Sequence, residues 1–295
     1  MKRIALTALM SLLGGCSATQ AADSKDAANT AAENTATSTA TTSNNATSIT
    51  TDAATACNLL GTQQSRVACA ANALLATLSS TQLATANLKI SDYTNRSKWN
   101  NLPVQMKPRA GIRLDALSTA SKAAVADLMT IALSAEGHSV MNGILKADDY
   151  LGTMQGGYGS SLYSLAIFGT PSETGDFEVM FGGHHMAYNL NFVGGEFYPV
   201  PQHLGSEPKE AFTFQGETYS PLTDLGDSTF AVYAALDATQ RTTAYLSGQT
   251  FSDVVVNPDL DYGKGAGRGS KAAYPTGANR RGIAFGSNSP FRVES

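Results

Sequence analysis

The sequence is poor in the residues that build disulfide-rich or zinc-finger scaffolds. It has 3 cysteines and 4 histidines among 295 residues, which excludes a cysteine-rich scaffold and a zinc-finger array. It also lacks an excess of positive charge, because 20 Lys and Arg stand against 24 Asp and Glu. We therefore expect no nucleic-acid partner. Hydrophobic residues make up 42% and charged residues 15% of the chain, a composition typical of globular proteins rather than disordered, collagenous or polytopic membrane proteins.

The first residues indicate an export signal. A basic start, Met1-Lys2-Arg3, precedes the apolar run 4–13, which is too short to span a bilayer but matches the hydrophobic region of a secretory signal. Leu13-Gly14-Gly15-Cys16 then resembles a bacterial lipobox. We expect residues 1–15 to be removed and lipid on Cys16 to anchor the chain in the cell envelope, at the outer membrane because Ser17 resembles the default sorting residue. An ordinary cleaved signal with a chance cysteine is the alternative.

Composition divides the rest of the chain into three parts. Residues 16–56 are almost only Ala, Thr, Ser, Asn and Asp and cannot bury enough apolar surface to offset their ordering entropy, so we expect a disordered tether. Residues 57–256 are the expected folded domain. Residues 257–295 form a Gly-rich basic tail, which is either solvated or in contact with an anionic surface.

Cys57 and Cys69 are candidates for a disulfide, because the expected envelope location is oxidising. One continuous helix over 57–69 would hold their Cα atoms about 18 Å apart, beyond the roughly 7 Å that a bridge tolerates. A disulfide therefore requires a chain reversal, and Gly61-Thr62 is the candidate for it.

The patterning of the domain predicts an α+β fold, in which helices flank an antiparallel β-meander. Capping patterns place helix starts after Leu78, Leu117 and Leu236, and apolar residues at period two or in short runs predict the strands. We predict helices over residues 119–135, 139–150 and 228–235. We predict strands over residues 162–168, 177–181, 185–193 and 196–200.

The stretch from Phe177 to Phe192 contains adjacent histidines, which we interpret as part of a β-hairpin. With Gly182-Gly183 as its two-residue turn, Phe181 pairs with His184 and Glu178 lies diagonal to His185. His184 then shares the apolar face of the hairpin. His185 shares the polar face with Glu178, Asn189 and Asn191, because successive side chains of a strand point to opposite faces.

This polar face is the candidate site for a small ligand or a divalent metal such as zinc. Glu178 would orient the His185 imidazole and raise its basicity, with Asn189 in the same row and His203 nearest in sequence. The alternative for the polar face is that its residues are simply solvated on the open side of a sheet. The alternative for His184 is a buried imidazole that is hydrogen-bonded to the backbone. No serine lies in the strand–turn–helix context of a nucleophile motif, and no glycine-rich stretch lies between the strand and the helix that a phosphate-binding loop requires.

The domain resembles the bacterial and fungal proteins that share the domain of unknown function 3500, over about residues 70–250. The matching elements are Trp99 with Pro103, Gly111-Ile112-Arg113-Leu114, Tyr163 to Gly169 with Pro171, Gly183-His184-His185 followed by Leu190-Asn191-Phe192, and Pro201 to Pro208 with Leu204-Gly205. The resemblance implies no activity. This chain has Gly182 where we expect an acidic residue before Gly-His-His, which weakens a metal site built on a nearby carboxylate.

The resemblance also bears on the end of the chain. Family members are expected to continue into a segment with histidine and tryptophan, to which the sequence of 257–295 looks unrelated, and a truncated or frameshifted chain is one explanation left open. Three functions remain open: a small-ligand or metal-binding module, a metal-assisted hydrolase that uses His184, His185 and His203, and an envelope protein with a purely structural role.

Overall fold

The computed structural model describes residues 54–245. The expected signal peptide, Cys16, residues 16–53 of the expected tether and the whole expected tail lie outside this range, whereas residues 54–56 of the expected tether are helical. The helices are α1 (Gln63–Ala76), α2 (Ser80–Ala86), α3 (Tyr93–Arg96), α4 (Thr119–Ala132), α5 (Ala135–Met154), α6 (Thr223–Ala234) and α7 (Ala238–Ala244). The strands are β1 (Asn87–Leu88), β2 (Ile112–Arg113), β3 (Ser164–Gly169), β4 (Phe177–Gly183), β5 (Met186–Val193), β6 (Glu196–Tyr198), β7 (Gln202–Leu204), β8 (Phe212–Phe214) and β9 (Glu217–Tyr219).

A disulfide joins Cys57 to Cys69 at the start of the described chain. Residues 54–58 are helical, the chain turns over 59–62, and α1 begins after its N-cap Thr62. The reversal brings the two Cα atoms to 5.5 Å, and Cys57 is buried against the core.

Removal of this disulfide is expected to lower the free energy of unfolding by about 3 kcal/mol, because the bridge closes a short loop and restricts the unfolded chain. Urea unfolding of the full chain with Cys57→Ser and Cys69→Ser together measures the loss. Cys16→Ser is the matched control and leaves the bridge intact. A double variant as stable as the control would contradict the expectation.

The predicted helix starts are confirmed, because side chains cap each of them. Ser79 and Asp237 form capping boxes with Gln82 and Gln240, and Ser118 accepts a hydrogen bond from the Ser121 amide. Each cap satisfies backbone N–H groups that the first helical turn leaves free. The predicted helix 139–150 is longer in the structure, because a further serine cap, Ser134, starts α5 at Ala135.

The main sheet has seven strands and is antiparallel except for one pair. Its order is β1-β3-β4-β5-β6, with β2 also paired to β3 and β7 also paired to β5; β1 runs parallel to β3. The separate pair β8-β9 lies outside this sheet. The α+β class and the central meander are therefore confirmed. The short strands β1, β2, β7, β8 and β9 were not predicted, because two or three residues are too few to display a period; β6 is equally short, but it follows the turn pair Gly194-Gly195.

Both faces of the central strands are covered. One face packs against α1, α4 and α5 and contributes every second residue of the strands to the main core: Leu165, Ile167, Phe177, Val179, Phe181, Met186, Tyr188, Leu190 and Phe192. On the other face, Phe168 and Met180 pack with Trp99. Within residues 54–245 no helix is long and apolar enough to cross a membrane.

Candidate functional site

The histidine hairpin differs from its predicted form. Strands β4 and β5 pair Gly183 with Met186 and Phe181 with Tyr188, so His184 and His185 are themselves the two turn residues. The prediction of a turn at Gly182-Gly183 is wrong. The prediction that the two imidazoles point to opposite faces is also wrong, because that alternation applies only within a strand. The ring centroids of the two histidines lie 3.8 Å apart.

Gly182 and Gly183 are needed because neighbouring atoms pack closely against their backbone, not because they form the turn. A Cβ at Gly182 would stand 2.6 Å from the Met186 carbonyl oxygen, and one at Gly183 would stand 2.4 Å from the ring of Tyr163. Tyr163 is fully buried and cannot move aside. A bare backbone at these positions lets the Tyr163 ring lie under the hairpin, from which its hydroxyl donates to the His184 carbonyl at 2.5 Å.

The turn is held in an unusual backbone conformation. His185 has a φ of 62°, which non-glycine residues adopt uncommonly and which tends to occur at functional sites. Its amide donates to the Asn101 carbonyl at 3.0 Å, and its carbonyl accepts from the Gly205 amide at 2.7 Å. These bonds, together with that of the Tyr163 hydroxyl, fix the backbone from which both imidazoles project.

A buried arginine supports the end of β4. Arg109 donates through Nη2 to the carbonyls of Gly183, at 2.6 Å, and of Asn100 and Leu102. Burial lowers the pKa of Arg109 to about 10, although the nearby Tyr163 and Asp148 favour its charged form. The guanidinium therefore remains charged at neutral pH and ties the segment 100–102 to the hairpin.

Glu207 completes a cluster with the two histidines. Its Oε2 lies 3.4 Å from His185 Nε2 and 3.9 Å from His184 Nε2. The possible ligand atoms of the three residues all lie within 4.8 Å of one another. Ligands at about 2.1 Å from a tetrahedral zinc lie about 3.4 Å apart, so modest movements of the side chains would place all three around an ion. Glu207 is exposed while His184 is buried, so the cluster opens to solvent on one side.

Asp148 orients His184 from behind. Its Oδ1 lies 2.8 Å from His184 Nδ1, and its Oδ2 accepts from the Gly159 amide at 3.0 Å. A carboxylate at Nδ1 favours the proton on that nitrogen and leaves Nε2 as a free lone pair, which is the usual arrangement behind a metal-binding histidine. The buried His184 imidazole therefore bonds a carboxylate, and the alternative of an imidazole bonded to the backbone is wrong.

His203 lies beside the cluster. It pairs with Ala187 across β7 and β5, and a Cβ at Gly205 would stand 3.2 Å from His203 Nε2 and 3.4 Å from His185 Cβ. Burial lowers the pKa of both His185 and His203, and in each case a neighbouring histidine adds to the effect. Both imidazoles are therefore neutral at neutral pH, the form in which imidazole coordinates metals.

Glu178 and Asn189 are not part of this cluster. Glu178 pairs with Asn191, roughly 20 Å along the strand from the histidine turn at 3.3 Å per residue. The predicted diagonal contact between Glu178 and His185 is therefore wrong. The Glu178 carboxylate instead accepts from Arg96 Nε at 2.5 Å, and the Asn189 amide donates to the Pro201 carbonyl at 2.8 Å.

Comparison with known proteins shows the family. Residues 61–282 match the family described as "Protein of unknown function (DUF3500)". The chain belongs to this family. No curated protein and no solved structure is significantly similar to it. The DUF3500 match continues past residue 250 and includes 257–282, so the expectation that the whole tail from residue 257 is unrelated to the family is wrong.

Two residues at the histidine cluster of this DUF3500 domain were not predicted from the sequence. Asp148 precedes His184 by 36 positions and lies on α5, and Glu207 follows β7 in an irregular segment. Neither stands at a spacing that signals a metal site. One available signal was the helical spacing of Asp148, which stands seven positions after Met141 and four after Ile144 and shares their buried side of α5. An acid before Gly-His-His is not needed in this arrangement, because Glu207 supplies the carboxylate.

Proposed function

We propose that the domain binds a divalent transition metal through His184, His185 and Glu207. The observation that carries the proposal is the convergence of three donor atoms within 4.8 Å on a turn whose backbone is held by three hydrogen bonds. Asp148 supports it further, because it directs His184 Nε2 toward the cluster. A site that is preorganised in this way loses little side-chain freedom when an ion binds.

Zinc is the metal that the donor set fits best. Two imidazole nitrogens and one carboxylate oxygen match the ligands that zinc accepts, whereas magnesium and calcium prefer oxygen ligands alone. Three protein ligands leave a coordination position open, as in catalytic rather than closed structural zinc sites. We infer a binding module for a metal and, at the open position, for a small ligand.

A metal-assisted hydrolase is the second candidate, and two observations favour it. Glu207 is 56% exposed, so a reactant has access to the cluster. His203 lies next to His185 and is neutral at neutral pH, so it is able to accept a proton. A bound metal would supply Lewis acidity. Turnover of an ester, amide or phosphate substrate by the zinc-loaded full chain, lost with His184→Ala, would support this candidate.

Elemental analysis of the purified full chain tests metal binding. We expect a stoichiometric amount of zinc after incubation with the ion and removal of the excess, and a loss of this zinc in His185→Ala. His138→Ala is the matched control, because His138 lies on α5 and is not part of the cluster. If the parent chain retains no metal, or if both variants retain it equally, the proposal fails and a structural role is favoured.

We further propose that Cys16 carries a lipid and holds the protein at the cell envelope, with residues 16–56 as a tether. The lipobox-like Leu13-Gly14-Gly15-Cys16 supports this, and lipid would supply an anchor that the acidic chain does not obtain from charge. Cys16→Ala is expected to move the protein from the membrane fraction to the soluble fraction, with Ser43→Ala in the expected tether as control. The same distribution for both variants would contradict lipid anchoring.

A further inference from the structure

A second site lies on the opposite face of the sheet from the main core, where α3 covers β4 and β5. It is an open groove of about 700 Å³, a size typical of small-molecule sites. Its floor includes Arg96, Glu178 and Asn191, and its walls include Tyr93, Trp99 and Tyr198. None of the three residues of the histidine cluster lines it.

The floor is a fixed network of donors and acceptors. Arg96 donates through Nε to Glu178 Oε2 at 2.5 Å and through Nη2 to Asn191 Oδ1 at 3.1 Å. Asn191 in turn donates to the Val200 carbonyl at 2.8 Å. Arg96 bonds only one oxygen of the Glu178 carboxylate, so Oε1 is left as a second acceptor. The orientation of each polar group is set before any ligand arrives.

One polar atom of the floor is unsatisfied. Asn189 also lines the groove and is 1% exposed. Its Nδ2 donates to Pro201, but its Oδ1 is buried without a hydrogen-bond partner among residues 54–245. Burial of such an acceptor without a hydrogen bond costs free energy. A ligand hydroxyl that donated to this oxygen, after a small shift of the amide, would remove the cost.

The walls present aromatic rings to solvent. Tyr93 is 72% exposed and Tyr198 49% exposed, and Trp99 is half-buried on the core of this face. Exposed aromatic rings offer flat apolar surfaces with little side-chain entropy to lose on binding. Their faces carry partial negative charge and attract the weakly positive C–H groups of a saturated ring.

The charged groups of the groove favour a neutral ligand. Arg96 and Glu178 neutralise each other in the floor, and the Arg96 guanidinium already lies 5.7 Å above the Tyr93 ring, where a ligand cation would otherwise bind. A purely apolar ligand would bury the floor's polar groups without new bonds, which is unfavourable. A neutral ring compound with several hydroxyl groups can form hydrogen bonds with the floor and stack on the aromatic rings of the walls. We propose that this groove binds a neutral saccharide, with the sugar ring stacked on Tyr198 and Trp99 and its hydroxyls bonded to Glu178 and Asn189.

The chain offers a direct reporter for this binding, because Trp99 is its only tryptophan. Titration of the full chain with cellotetraose, maltotetraose and chitotetraose, followed by tryptophan fluorescence, is expected to give a saturable change for at least one of them. If none produces saturation up to about 10 mM, ten times the dissociation constant of a weak site, the proposal is overturned.

Variants separate groove binding from a nonspecific change in fluorescence. Tyr198→Ala is expected to weaken binding about 5- to 10-fold, as for loss of one aromatic stacking contact. Tyr245→Ala is the matched control, because this exposed tyrosine lies outside the groove. Equal affinity in all variants would overturn the proposal. Affinity that persists after chelation of metal distinguishes this site from the histidine cluster.

Discussion

Replacement of Asp148 by asparagine is expected to weaken zinc binding about 10- to 100-fold, the usual effect of losing a carboxylate behind a metal-binding histidine. Asp148 accepts from both His184 Nδ1 and the Gly159 amide. An asparagine has one acceptor oxygen and can serve only one of these donors. His184 would then lose the carboxylate that fixes its tautomer and the orientation of its ring. Competition with a chromogenic chelator measures the affinity of the full chain.

Asp149→Asn is the matched control for this prediction. Asp149 precedes the same loop and accepts from the Ser160 amide at 2.7 Å, so its replacement removes a comparable backbone contact without touching His184. Thermal unfolding of both variants reports any shared loss of stability. Equal zinc affinity in the two variants would show that Asp148 has no special role behind the imidazole.

Arg96→Met is expected to lower the free energy of unfolding at pH 7 by about 3–4 kcal/mol, because it leaves a buried carboxylate without its partner. The Glu178 side chain is 4% exposed, and that of Arg96 is 24% exposed. Burial raises the pKa of Glu178 above its usual 4.5, while Arg96 opposes this rise. Without Arg96 the pKa of Glu178 should rise further. Urea unfolding at several pH values measures the loss.

The loss of stability in Arg96→Met is expected to become smaller as the pH falls. A carboxyl whose pKa is raised by folding binds more protons in the folded chain, so its unfavourable contribution decreases as the pH falls toward 4.5. The gap between the parent chain and Arg96→Met should therefore narrow between pH 7 and pH 4.5. The double variant Arg96→Met/Glu178→Leu should recover most of the stability at pH 7. A gap that is constant with pH, or a double variant no better than Arg96→Met, would argue against a buried charge as the cause.

The register of the histidine hairpin shows what sequence patterning can predict. We expected Phe181 to pair with His184, whereas it pairs with Tyr188. The partner of each β4 residue is thus displaced by four positions along β5. Because the side-chain period of a strand is two, an even displacement leaves every strand residue on its predicted face. Phe177, Val179 and Tyr188 therefore lie in the predicted core, although no predicted cross-strand pair of the hairpin is present.

The candidate site was less predictable than the fold, because its geometry depends on contacts distant in sequence. The pair Gly182-Gly183 has the composition of a tight turn, but the buried ring of Tyr163 requires a bare backbone there and moves the turn to the histidines. Asp148 and Glu207 reach the cluster from a helix and from an irregular segment. Neither periodicity nor local spacing reports such contacts. The helix starts were predictable, since a cap such as Ser79 with Gln82 is local in sequence.

X-ray absorption at the zinc edge of the loaded full chain tests the metal proposal most directly. We predict two imidazole nitrogens at about 2.0–2.1 Å and a carboxylate oxygen at about 2.0–2.2 Å from the ion, with the imidazole scattering reduced in His184→Ala. A spectrum with oxygen ligands alone, or one that His184→Ala leaves unchanged, would contradict metal binding by His184, His185 and Glu207.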